Sequence, residues 1–77
     1  MQEQLKAIAS SGPPWAAQRA EMALAIMQQY EGGGLELEEY QELMRDLVRS
    51  DLLNAQADDQ DLKNLLVSCV MIGAKLA

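Results

Sequence analysis

Apolar residues recur along this chain at helical spacing, and β-branched residues are scarce among the Ala, Leu, Met, Gln and Glu that fill it. Two punctuation marks divide the pattern. Ser11-Gly12-Pro13-Pro14 stops a helix, and Gly32-Gly33-Gly34 has no reason to stay in one. A softer break lies near Asn54 to Asp59. These marks predict four helices and no strand. The first, roughly Gln2 to Ala9, has only Leu5, Ile8 and Ala9 as an apolar edge and is marginal unless it docks, so residues 1–13 are expected as a mobile arm.

The second helix is expected from Pro14, whose missing N–H costs nothing in a first turn, to about Tyr30, with Trp15 folding back as an anchor. Placed at ~100° per residue, Gln18, Glu21, Gln28 and Gln29 form a narrow polar stripe. Trp15, Ala20, Met22, Ile26 and Met27 help cover most of the remaining circumference. The third helix begins just after the glycines, with Glu36, Glu38 and Glu39 where the unpaired N–H groups favour carboxylates. Its inner face reads Leu37, Tyr40, Leu43, Met44, Leu47 and Val48, and the pattern breaks near Ser50, a possible new N-cap. Continued unbroken, the wheel would put Asp51 among apolar residues. The fourth helix, capped by Asp58 or Asp59, is apolar over most of its surface. Only Asp61, Asn64, Ser68 and Lys75 keep one edge polar.

The fold class that follows is all-α: one domain over residues 1–77, a small bundle of three principal helices plus a short N-terminal helix. A bundle of this size covers about one side of each helix, whereas the second and fourth are apolar round more than half. Small single cores come out near zero in stability, and many natural ones add a partner subunit. Completion by oligomerisation is therefore expected, with the chain itself as first partner. Trp15, Met22, Ile26, Leu66, Val70 and Gly73 form the self-association interface, Gly73 because its missing side chain lets another backbone approach.

Composition narrows the chemistry. Twelve acidic against six basic side chains give a net charge of -6, which argues against direct nucleic-acid binding, since that affinity comes from clustered Lys and Arg. The single Cys69 allows no intramolecular disulfide, and its apolar neighbours make an inert thiol. With no histidine, the common Zn, haem, Ser-His and Cys-His sites lose an essential part. No cofactor, metal or enzymatic activity is expected. Met1-Gln2-Glu3-Gln4 carries acid where a signal peptide would carry Lys or Arg, and the most apolar stretch, Leu65 to Ala74, is roughly half of the ~20 residues that span a bilayer. A cytoplasmic location without membrane contact is the expectation.

Residues 35–61 hold nine acids against two arginines. Glu38, Glu39, Glu42 and Asp46 form the outer face of the third helix, with Arg45 and Arg49 beside them, as on a solvated helix. This acidic face is also the candidate for partner binding. Asp58, Asp59 and Asp61 have the oxygen chemistry for Ca²⁺ but fall short of six ligands, and capping is their expected role.

The run Gly33-x-Leu35-Glu36-x-Glu38-Glu39-Tyr40-x-x-Leu43-Met44 resembles the second half of an EF-hand: mid-loop glycine, apolar eighth position, terminal Glu and exiting helix. Loop positions one, three and five are Gln28, Tyr30 and Gly32, where that family places Asp or Asn ligands. The resemblance thus implies a helix-loop-helix hairpin without the calcium ligands.

Excess apolar helix surface without a catalytic constellation leads to a non-enzymatic protein–protein interaction module, an oligomeric assembly adaptor or small inhibitor acting through helix surfaces. The alternative is an acidic DNA mimic that blocks a nucleic-acid-binding protein with the outer face of the third helix.

Overall fold

Each helix begins where a local backbone signal puts it. The computed structural model describes residues 2–49 and 58–76 of the chain. Helix α1 (Gln2–Ser11) ends on Gly12, whose N–H donates to the Ile8 carbonyl at 2.8 Å. A Cβ at Gly12 would stand 2.6 Å from that same oxygen, so the close approach requires glycine. Helix α2 (Pro14–Glu31) starts on the second proline, and the Pro13 carbonyl accepts the N–H groups of Ala16 and Ala17. It ends at Gly32, followed by Gly33 at φ +82°, a left-handed turn that glycine adopts without a Cβ penalty.

Helix α3 (Leu37–Leu47) has Glu36 as N-cap, and the Glu36 N–H donates to Glu39 Oε1 at 3.4 Å. Helix α4 (Gln60–Leu76) is capped by Asp59, whose Oδ1 accepts the Leu62 N–H at 3.1 Å. That bond satisfies one of the orphan donors of the first turn. The break expected near Ser50, and Asp51 with it, lie outside the described residues, although α3 already ends at Leu47. No strand occurs among the described residues.

Helix α2 is the centre of the arrangement, because α1, α3 and α4 all pack on it. Its inward residues Ala16, Ala20 and Ala23 are fully buried, and side chains this small let neighbouring helices come close. The chain's own helices bury Trp15, Ala16, Ala20, Ala23 and Met27 of α2 and leave Met22 and Ala25 exposed. Leu5 and Ile8 of α1, Trp15 and Met27 of α2, Tyr40 and Met44 of α3, and Leu66 and Val70 of α4 complete a single core.

The N-terminal segment is a docked helix rather than a free arm. Leu5 and Ile8 are buried, Gln4 Oε1 accepts the Cys69 thiol at 3.2 Å, and Gln2 donates to Glu31 at 3.2 Å. Burial of two large aliphatic side chains offsets the cost of ordering so short a helix. The Cα radius of gyration, 11.6 Å, is close to the ~11.5 Å of a compact chain of this length. No described helix is long and apolar enough to cross a membrane.

Candidate functional site

Hydrogen bonds among the described residues join α3 to both α4 and α2. The Tyr40 hydroxyl donates to the Gly73 carbonyl at 2.9 Å inside the core, and Gln41 Nε2 donates to the Ala74 carbonyl at 3.2 Å. Across the hairpin, Arg19 Nε donates to the Leu47 carbonyl at 3.0 Å, while its Nη1 donates to Trp15 O at 3.3 Å. Leu47 closes α3, so the guanidinium satisfies a carbonyl that has no intrahelical partner and sits at the negative end of the dipole. At the other end of the hairpin Tyr30 and Tyr40 stack, with ring centroids 4.5 Å apart and an interplanar angle of 25°. The α2–α3 hairpin is thereby pinned at both ends.

Between the pins the helices do not close on each other completely. Met22 and Ile26 from α2 face Leu43 and Leu47 from α3 across an open hollow of about 430 Å³, bordered also by Gln18 and Asp46. A second hollow of about 420 Å³ continues along Glu21, Met22 and Ala25, and a third of about 170 Å³ continues along Glu39, Glu42, Leu43 and Asp46. Shared lining residues make the three one groove. Its floor is apolar, and its rim carries the carboxylates of Glu21, Glu39, Glu42 and Asp46. Met22 is 54% exposed and Leu43 39%, although both are large apolar side chains.

The groove sorts the residues that the sequence singled out. Of the six expected to mediate self-association, Trp15, Leu66, Val70 and Gly73 are buried within the chain itself. Trp15 donates its indole N–H to Asp58 at 3.2 Å, which ties the start of α2 to the start of α4. The Gly73 carbonyl accepts the Tyr40 hydroxyl of α3. Of the six, Met22 is exposed and Ile26 half-buried.

The acidic residues divide as well. Glu38, Glu39, Glu42 and Asp46 are all exposed; Glu39, Glu42 and Asp46 border the groove, and Glu38, one turn before Glu42, is not among its lining residues. Leu37 and Leu43, expected on the inner face of α3, are 42% and 39% exposed. The face that packs is narrower, centred on Tyr40 and Met44, because Gln41 takes the edge toward α4. Leu65 and Ile72, i and i+7 on α4, form a second exposed apolar strip with Ser68 between them. Arg19 was not singled out by the sequence, and its signal was available: it is the only cation of α2 and lies on the wheel beside Trp15.

Burial pushes the Cys69 thiol up from its ordinary pKa, so it is a poor nucleophile. Burial, with added repulsion from Glu31 and then Tyr30, likewise raises Tyr40. Among the described residues no three His, Cys, Asp or Glu side chains converge as a metal site. Set against protein-family models, curated proteins and solved structures, the chain finds no match.

Proposed function

We propose that this chain is a non-enzymatic protein–protein interaction module, an adaptor or small inhibitor, and that it works through the α2–α3 groove. The observation that carries this reading is the placement of Met22, Ile26 and Leu43. Large apolar side chains left partly in water around a preformed hollow mark binding sites in small soluble proteins. The hollow is open along one side and runs into its neighbours, a shape suited to an extended element of another protein. Both pins of the hairpin use groups inside the fold, so the groove is preorganised and docking spends little free energy on reshaping it.

Side-by-side affinity capture with the wild-type chain and with Ile26→Asp tests the reading. Ile26 is half-buried at the groove, and the variant should keep its helical circular dichroism while losing the proteins that the wild type retains. A folded Ile26→Asp variant that retains the same set would overturn the proposal.

A further inference from the structure

We infer that the groove takes a basic amphipathic helix of a partner protein, an inference that rests on the groove being the docking site. Length gives the first argument. From Gln18 to Ile26 the groove follows nine residues of α2, ~12 Å at 1.5 Å per residue, and its lining on α3, from Glu39 to Leu47, is equally long. Two turns of helix span ~10.5 Å between positions i and i+7, so one incoming helix sets anchors at i, i+4 and i+7 over the whole floor. Met22 and Ile26 on one wall, and Leu43 and Leu47 on the other, are themselves i,i+4 pairs and offer matching ridges. The flexible thioether of Met22 adapts to the anchor that enters.

Charge gives the second argument and selects the partner. Glu21, Glu39, Glu42 and Asp46 stand on both sides of the floor, and Arg19, the one cation of the lining, is turned to the carbonyls of Leu47 and Trp15. A helix flanked by Lys or Arg meets opposite charge along both edges, and its approach is steered by a chain of net charge -6. A second copy of this chain brings the same charge, and a symmetric dimer through the groove would set carboxylate rim against carboxylate rim. Its six cations are spread over the four helices and the end of α3. The second exposed strip, Leu65 and Ile72 on α4, lacks such a rim.

The test is fluorescence anisotropy with three dye-labelled peptides of about 15 residues, a length at which helix is marginal alone and forms on docking. All three carry leucines at i, i+4 and i+7, and their flanking residues are Lys, Gln or Glu. The Lys peptide should bind the wild-type chain about three- to tenfold more tightly than the Gln peptide, with the Glu peptide weakest, the range expected of a few exposed ion pairs. In a Glu42→Lys, Asp46→Lys double variant that advantage should vanish or invert, and 0.5 M salt should shrink it. Ile26→Asp should weaken all three peptides alike.

Equal binding of the Lys and Gln peptides, unaffected by the charge reversals, would overturn the basic-helix inference and leave the docking site standing. Binding that ignores Ile26→Asp would overturn both. Concentration-dependent dimerisation that Ile26→Asp abolishes, with no peptide bound, would make a second copy the occupant and overturn the inference.

Discussion

Tyr40 joins the hairpin to α4, and removal of one oxygen tests how much that joint matters. Tyr40→Phe keeps the ring that stacks on Tyr30 at 4.5 Å and deletes the donor to the Gly73 carbonyl at 2.9 Å. Tyr40 is 3% exposed, so water does not replace the lost partner. A neutral hydrogen bond contributes ~0.5–1.5 kcal/mol net, and a buried acceptor left short of a partner moves the cost toward ~1–3 kcal/mol. We expect a loss of about 1.5 kcal/mol, which in a domain of this size lowers Tm by ~6–12 °C. Trp15, the only tryptophan and 9% exposed, reports unfolding by fluorescence beside the far-ultraviolet circular dichroism.

Alkaline pH adds a second readout with a defined sign. The folded-state pKa of Tyr40 is raised above the ordinary 10.0, first by burial. Above pH 10 the unfolded chain therefore holds fewer protons on this residue than the folded one. The stability that the hydroxyl contributes is present below pH 10 and is lost as pH rises from there through the folded pKa. The gap between wild type and Tyr40→Phe should narrow over that window. A variant whose Tm stays within about 1 °C of wild type at pH 7, or a gap that stays constant through pH 11, would refute the reasoning.

Leu66→Ala, at a site with no exposed surface, should cost ~2–5 kcal/mol, whereas Met22→Asp at the groove should change stability by less than ~0.5 kcal/mol; chemical denaturation of the two variants side by side checks the partition. Asp59→Ala removes the acceptor for the Leu62 N–H and should cost about 1 kcal/mol, read as a lower denaturation midpoint with unchanged slope. Cys69 should react with a water-soluble disulfide reagent far more slowly in the folded chain than in denaturant, because the thiol is buried and its pKa raised; equal rates would show that α1 does not cover it.

Helix starts were legible in the sequence because their causes are local. Pro14 opens α2, Glu39 reaches back to Glu36, and Asp59 caps α4, each through residues within a turn of the boundary. What covers each apolar face was not legible. A wheel records that Met22, Leu66 and Val70 are apolar but not which neighbour reaches them, and the same surplus on α2 admits a second copy of the chain or three helices of this one. Gln41 and Arg19 show the same limit for polar residues, since their partners Ala74 and Leu47 lie 33 and 28 positions away. The acidic row on α3 was legible as a row. Which of its members line the groove, Glu39, Glu42 and Asp46 but not Glu38, depends on where α2 lies.

The claim that the α2–α3 groove is the working surface is tested most directly by residue-resolved chemical-shift mapping of the isotopically labelled chain with a captured partner or with the Lys-flanked peptide. The perturbed resonances should cluster at Met22, Ile26, Leu43 and Leu47. Perturbations centred on Leu65 and Ile72, with the groove unmoved, would contradict it.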